Sequence, residues 1–391
     1  MCITMRKPLS LTQFPHYPVI AGTALLSIGV TVAWWAGVDV SPLFETAMIR
    51  RGELWRLVTS IFPHVSVLHL MFNVYWLWVF GPLIEEVYGH AKAAGLVLLF
   101  AVVPNALEYA FASGGVGLSG VGYGLFGLIW VLSKRDERFH DAIDQRTIQL
   151  FVGWFFLCIV LTVANILPVG NIAHGSGAVI GALTGFAITL PERRVTIAAS
   201  LGVILAFSLW AATIGRPRVN LSQAPGDAEA KAGYDALMAG RNQDAAEWLR
   251  QAVSAEPKND NYWTNLGVAY LRLGNESEAL AAYRKALDLG SPDGANGVAW
   301  ILATSSNPTI RNPASALEYA KKAISARKDR PDPNHLDTLA EAYYANGQYQ
   351  DAVQTEQQAI ALVPAENKGS YEKSLEKYQH ALSDKVPKAA K

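Results

Sequence analysis

The sequence has few charged residues and almost no cysteine. Only 17% of its 391 residues are charged, whereas a soluble domain has roughly 25%. Lysine plus arginine equal aspartate plus glutamate at 33 each, so charge gives no reason to expect nucleic acid as a partner. One of the two cysteines, Cys2, is at the extreme N-terminus, and the other, Cys158, lies in an apolar run. A disulfide framework is therefore not expected.

The stretches that lack charge are concentrated in the first 215 residues. A helix needs about 20 apolar residues to cross about 30 Å of hydrocarbon. Residues 216–391, by contrast, are polar and rich in alanine. The sequence predicts an all-α chain, with a polytopic transmembrane helix bundle followed by a soluble helical domain. Seven spans are expected, near residues 18–37, 66–86, 91–111, 117–133, 148–167, 172–190 and 195–215.

Positive charge next to the spans predicts their orientation. Most of it falls on one side of the predicted bundle, which the positive-inside rule makes cytoplasmic: Arg6, Lys7, Lys92, Lys134, Arg135, Arg138, Arg193 and Arg194. Arg50 and Arg51, in the long loop after the first span, oppose the rule. We expect residues 1–17 to be cytoplasmic, and seven spans then place residues 216–391 outside the cytoplasm.

A serine among glycines begins the fourth predicted span. Ser119 lies in Gly117-Leu118-Ser119-Gly120, where glycine allows a sharp turn and a close approach of another backbone. A serine hydroxyl becomes a strong nucleophile only when a base takes its proton, and free N–H groups at a helix start can bind an oxyanion. A small residue packed between helices would give the same pattern. Both interpretations stay open for the motif alone.

His174 is the candidate base for this serine. It is the only histidine in the fifth and sixth predicted spans, and it lies at the same end of the bundle as Ser119. Gly177 and Gly181 follow at a spacing that permits close helix packing. Tyr123 is one turn after Ser119 and could hold the imidazole by stacking. The matched depth predicts a Ser–His pair, and a histidine bonded to a carbonyl is the alternative.

His69 and Asn73 are four residues apart in the second predicted span, so they share one helix face. They could donate two hydrogen bonds to an oxyanion, or could simply bond to a neighbouring helix. The pair of His64 and His69 could suggest a metal site. However, the sequence has no His-Glu-x-x-His and no carboxylate at ligand spacing, so we expect no metal.

These motifs together resemble the signatures of the rhomboid family of intramembrane serine proteases. The matching residues are His69-x-x-x-Asn73, Gly117-Leu118-Ser119-Gly120, Ala173-His174-x-x-Gly177-x-x-x-Gly181, the loop pair Trp55-Arg56, and Glu85 ahead of Tyr88-Gly89. The resemblance covers roughly residues 45–190. The seventh span would be an addition to the six-helix core of that family.

The resemblance implies a catalytic dyad that needs no cofactor. Ser119 would be the nucleophile and His174 the general base. The oxyanion hole would be formed by His69, Asn73 and the backbone N–H of Ser119. Gly117, Gly120, Tyr123, Gly177, Gly181, Trp55, Arg56 and Glu85 would support the site. We expect a multi-pass protein of a bacterial cell membrane.

A period of 34 residues runs through the polar half. Gly233 and Gly240 recur as Gly267 and Gly274, and the run Trp263-x-x-Leu266-Gly267-x-x-Tyr270 fits the tetratricopeptide pattern. Further units are expected at about 298–328 and 334–365, with a capping helix at 368–382. Stacked helix pairs of this kind create a groove that can bind a protein or peptide, although a plain spacer remains an alternative.

The expected domains are a membrane protease domain at 18–215, a linker at 216–227, a repeat domain at 228–382 and a tail at 383–391. The leading interpretation is an endopeptidase that cleaves transmembrane or membrane-adjacent segments of membrane proteins. The alternative is a proteolytically silent scaffold that binds client proteins. A transporter is disfavoured, because no ion-binding cluster lines the predicted spans.

Overall fold

The computed structural model describes residues 15–112, 114–222, 224–327 and 331–385. In these residues the fold is all-helical and contains no strand, and 77% of the chain is helix, which confirms the predicted fold class. The chain divides into two compact units, Met1–Pro225 and Gly226–Lys391. Several residues used in the sequence analysis lie outside the described residues: Cys2, Arg6, Lys7 and the tail from residue 386 onward.

The first unit is a bundle of apolar helices. Its α-helices within the described residues are α1 (Pro18–Trp35), α2 (Arg56–Thr59), α3 (Val67–Tyr88), α4 (His90–Phe111), α5 (Ser119–Leu132), α6 (Gln145–Val163), α7 (Asn171–Thr189), α8 (Arg194–Ala212) and α9 (Arg216–Val219). Six segments are long and apolar enough to cross a membrane: Pro18–Trp35, Val67–Tyr88, His90–Phe111, Gln145–Val163, Asn171–Thr189 and Pro191–Ala212. They make the first unit a multi-pass membrane bundle.

The fourth predicted span, α5, is shorter than the others. Its 14 residues are about 21 Å long at 1.5 Å per residue, whereas the hydrocarbon layer is about 30 Å thick. Nearly all of its side chains after the first residue are buried by neighbouring helices. A helix enclosed in this way need not reach both faces of the bilayer. Its first residue, Ser119, can therefore lie below the membrane surface.

The seventh predicted span, α8, packs against α4 and α7 and leads directly into α9. Arg216, the first residue of α9, is buried and donates hydrogen bonds to the carbonyls of Tyr109 (3.0 Å) and Ala112 (3.4 Å). Its guanidinium also lies 4.3 Å from the centre of the Tyr109 ring. The N–H of Leu221 bonds to the Phe111 carbonyl at 2.9 Å. The first residues of the predicted linker are thus attached to the end of α4.

The second unit is a series of helix pairs that forms a tetratricopeptide-like solenoid. Its helices are α10 (Asp227–Met238), α11 (Asn242–Ala255), α12 (Asp260–Arg272), α13 (Glu276–Asp288), α14 (Pro292–Thr304), α15 (Pro313–Ser325), α16 (Pro333–Ala345), α17 (Tyr349–Leu362) and α18 (Gly369–Lys385). The third predicted repeat corresponds to α14 and α15, and the fourth predicted repeat to α16 and α17. The capping helix corresponds to α18.

Small residues set the spacing within these helix pairs. A Cβ built on Gly233 would lie 2.5 Å from Leu249 Cγ, and one on Gly267 would lie 2.6 Å from Tyr283 Cε1. In these two pairs, α10 with α11 and α12 with α13, a glycine of the first helix faces a large side chain of the second. The 34-residue recurrence of this glycine is therefore a packing requirement.

Candidate active site

Helices α5 and α7 pack with their backbones in direct contact. A Cβ built on Gly181 would lie 1.9 Å from the Gly124 carbonyl oxygen, and one on Gly177 would lie 2.5 Å from the Gly120 carbonyl oxygen. The contacting glycines are four residues apart on both helices, and their numbers rise together. The two helices therefore run parallel, and the same pairing repeats after one turn. Any side chain at these positions would push the helices apart. The glycines thus bring the first turns of α5 and α7 side by side.

Those two first turns carry the predicted dyad. Ser119 is the first residue of α5, and His174 lies in the first turn of α7. The imidazole stacks on the Tyr123 ring, with 4.6 Å between ring centroids and an interplanar angle of 23°. His174 is 4% exposed, and its Nδ1 has no hydrogen-bond partner. That atom therefore does not bond to a backbone carbonyl, contrary to what a purely structural histidine would require.

The two predicted oxyanion donors begin α3. The Ser66 hydroxyl caps this helix by accepting from the His69 N–H at 3.2 Å. A Cβ on Gly117 would lie 2.8 Å from His69 Nε2, and Gly117 has a φ of +111°, which favours glycine. His69 therefore lies against the loop that precedes Ser119, and Asn73 follows one turn later.

Buried polar atoms at this site lack partners. His69 Nδ1, Asn73 Nδ2 and His174 Nδ1 are all buried without a hydrogen-bond partner. Such atoms are rare in folded proteins, because an unpaired buried donor costs about 1–3 kcal/mol. They come from two of the sequence motifs, His69-x-x-x-Asn73 and the one that contains His174. Their arrangement is typical of a site where a substrate supplies the missing partner.

The loop before Ser119 is held by the segment that connects α1 to α3. The Gly115 N–H donates to Glu45 Oε2 at 2.8 Å, and the Gly117 N–H donates to the Ser60 carbonyl at 2.9 Å. Glu45 Oε1 also accepts from the Ser60 hydroxyl at 3.3 Å. Sequence reasoning missed both acceptors. Neighbouring Ser113 lies outside the described residues.

His64 provides a third acceptor for this loop. Its Nδ1 is 2.9 Å from the Phe62 carbonyl, which can only accept, so Nδ1 carries the proton. Its Nε2 then accepts from the Leu118 N–H at 3.3 Å. The side chain is fully buried. His64 is therefore a neutral histidine that fixes the residue before Ser119, a role that the sequence analysis did not assign.

The loop pair Trp55 and Arg56 lies in the connecting segment. Arg56 is buried and bonds to Glu53 at 2.6 Å and to the carbonyls of Ser41 (3.0 Å) and Phe44 (3.1 Å). It holds that segment together and does not bond to the dyad. Trp55 is 55% exposed.

Glu85 lies near the opposite end of α3 from His69, about 24 Å away at 1.5 Å per residue. Its carboxylate accepts from the N–H groups of Val19 and Ile20, both at 3.0 Å, and bonds to His90 at 2.6 Å. Glu85 thus caps the start of α1. The structure does not bring it to the dyad.

Within the described residues, one group has the spacing of metal ligands. Ligand atoms of Asp293, Asp332 and His335 in the second unit lie within 4.8 Å of one another. Arg327 forms ion pairs with both carboxylates, at 2.9 and 3.3 Å. The Arg327 guanidinium therefore already balances the charge of these carboxylates. The three residues belong to the second unit, whereas the proposed dyad belongs to the first.

Comparison with known proteins identifies two families. Residues 51–191 match the Rhomboid domain family, and residues 231–294 match the Tetratricopeptide repeat family. A protein named Rhomboid protease GlpG from Salmonella paratyphi A is 29% identical over 185 residues, which cover 46% of this chain and 62% of that protein. The protein of the same name from Enterobacter sp. is 31% identical over 150 residues, 37% of this chain and 52% of that protein.

The chain thus spans between about half and three fifths of the length of these curated relatives. Among solved structures, MamA from Desulfovibrio magneticus RS-1 matches 41% of this chain with a TM-score of 0.30 and 16% identity, and 97% of that chain is covered. The two family matches fall on the two structural units separately. The chain therefore contains a rhomboid domain followed by tetratricopeptide repeats.

Proposed function

We propose that this chain is an intramembrane serine endopeptidase that cleaves transmembrane or membrane-adjacent segments of other membrane proteins. The observation that carries the proposal is the glycine contact between α5 and α7, which brings Ser119 and His174 to adjacent helix starts. The names of the curated relatives support the same activity.

In the proposed reaction, the Ser119 hydroxyl oxygen attacks the carbonyl carbon of the scissile peptide bond while the His174 imidazole takes its proton. The tetrahedral intermediate collapses when the imidazolium gives that proton to the leaving amine. A water molecule then hydrolyses the acyl-serine with the same imidazole as base. No third carboxylate is assigned to the dyad, because stacking on Tyr123 already fixes the ring plane.

His69, Asn73 and the backbone N–H of Ser119 would stabilise the oxyanion of that intermediate. The unpartnered Asn73 Nδ2 is available as a donor, as is the first N–H of α5. Donors that already point at the place where charge develops need no reorganisation during the reaction.

The substrate must present an accessible peptide bond at the start of α5. A bond within a regular transmembrane helix is hydrogen-bonded and covered, so segments with small or helix-breaking residues should be cut preferentially. The repeat unit would bind a protein or peptide in its groove. If α8 crosses the bilayer, this groove lies on the same side of the membrane as the dyad and can raise the local concentration of a bound client.

The test is a cleavage assay on co-expressed tagged membrane proteins, with the wild type compared with Ser119→Ala and His174→Ala. Both variants should insert and fold but leave the clients intact. Labelling of the wild type by a serine-reactive phosphonate should disappear in Ser119→Ala. If the wild type neither labels nor cleaves, the silent scaffold becomes the better description.

A further inference from the structure

Helix α7, which carries the proposed base, has no N-terminal cap of its own. Its N-cap residue is Gly170, which has no side chain to accept from the first-turn N–H groups. Two other α-helices of this unit have a side-chain cap from the residue before them: Ser66 caps α3, and Asp144 caps α6 by accepting from the Thr147 N–H at 2.8 Å. In hydrocarbon, uncapped N–H groups are especially costly.

The missing cap is supplied by Glu108 from the last turn of α4. Glu108 Oε2 accepts from the Ala173 N–H at 2.9 Å. The side chain is 6% exposed. A Cβ on Gly170 would lie only 3.3 Å from Glu108 Oε2, so the glycine leaves room for the carboxylate. The bonded N–H group belongs to the residue directly before His174.

We infer that Glu108 is a positioning residue for the proposed base, an inference that rests on the proposed protease function. By bonding to the first turn of α7, its carboxylate holds the backbone of residues 172–174 helical and thereby fixes the depth of the imidazole beside Ser119. Glu108 does not touch the substrate.

Three contacts then fix His174 from different directions. The Gly177 and Gly181 contacts set the distance between α7 and α5, but they begin one turn after the histidine. Stacking on Tyr123 orients the ring. The Glu108 cap acts on the backbone N–H of Ala173, directly before the histidine.

The experiment compares Glu108→Ala and Glu108→Gln with wild-type protein in detergent, using a fluorogenic transmembrane substrate. We expect Glu108→Ala to lower kcat by roughly 10–100-fold, because a misplacement of about 1 Å can cost about 10²-fold in rate. KM should change less than about twofold, since no substrate contact is lost. Glu108→Gln should retain most of kcat, because its amide oxygen can still accept the Ala173 N–H.

Rescue by a local cap separates positioning from any other role of this carboxylate. In Glu108→Ala the space beside Gly170 is vacated, so Gly170→Ser can supply a hydroxyl to the same N–H group from the N-cap position. The double variant should recover most of the lost kcat. Asp144→Ala is the matched control, since it removes the cap of α6 and should leave kcat unchanged.

Hydrogen exchange of the Ala173 amide gives a readout that does not need activity. It should accelerate in Glu108→Ala and slow again in the double variant. A folded Glu108→Ala with wild-type kcat overturns the inference, and so does a double variant that stays inactive or does not fold. Wild-type protein without cleavage or serine labelling would instead refute the proposed function, while the exchange measurement still tests the cap.

Discussion

Gly181→Ala should move His174 away from Ser119 without changing either of these two residues. The added Cβ would lie 1.9 Å from the Gly124 carbonyl oxygen and 2.9 Å from the Leu128 nitrogen. Because both atoms are backbone, no side chain can rotate away, and α7 must move by about 1.5 Å to reach an ordinary contact distance of about 3.4 Å. The imidazole of His174, on the same helix, would move with it.

A displacement of that size should lower kcat by roughly 10²-fold, and the overpacking should cost about 1–3 kcal/mol of stability. Turnover of a fluorogenic transmembrane substrate and thermal melting in detergent measure the two effects. The control is Gly122→Ala on α5, where a Cβ meets nothing within 4 Å, so activity and melting temperature should stay near wild type. A Gly181→Ala protein with wild-type turnover would refute the backbone-contact argument.

Three further outcomes are expected. Asn73→Ala should lower kcat by roughly 10²–10³ without changing the melting temperature much, as removal of one oxyanion donor does in other serine proteases, and steady-state kinetics measures this. Burial, reinforced by the neighbouring Asp337 carboxylate, raises the pKa of Glu356 to about 8, so the folded repeats bind a proton more tightly than the unfolded chain. Their stability should be fully present below about pH 4.5 and fall as the pH rises through about 8. Lower protection of the α17 amides at pH 9 than at pH 5, relative to the intrinsic exchange rate at each pH, would show it, and Glu356→Gln should flatten the difference. Asp227→Cys, with the two native cysteines replaced, should react with a membrane-impermeant thiol reagent on intact cells, whereas labelling only after lysis would place the repeats in the cytoplasm.

The sequence predicted the helices, and it suggested the proposed dyad, because both leave local signals. Charge-free runs mark spans, and glycines at a spacing of four mark close helix contacts, as at Gly177 and Gly181. Histidine and asparagine stand out in apolar runs because hydrocarbon penalises polar groups. These signals depend only on residue type and spacing, so a single sequence reveals them.

The supporting hydrogen bonds could not be predicted in the same way. Glu108 was visible as a carboxylate in an apolar run, but its partner is a backbone N–H 65 residues away. His64 likewise accepts from a backbone N–H 54 residues away. Every residue except proline has such a donor, so the sequence cannot indicate which one is used. The predicted span at 117–133 was longer than α5, whose 14 residues begin only at Ser119, because Gly117 has a φ of +111°, which is not helical.

The attachment of Arg216 and Leu221 to the end of α4 bears on how the membrane unit can be truncated. The family match ends at residue 191, which would suggest a fragment that stops after α7 or α8. Such a fragment would uncover the carbonyls of Tyr109, Phe111 and Ala112, which Arg216 and Leu221 now satisfy. Unpaired carbonyls near hydrocarbon are costly, and they would destabilise the helix that carries Glu108. The smallest fragment suited to biochemical work should therefore extend to at least Leu221.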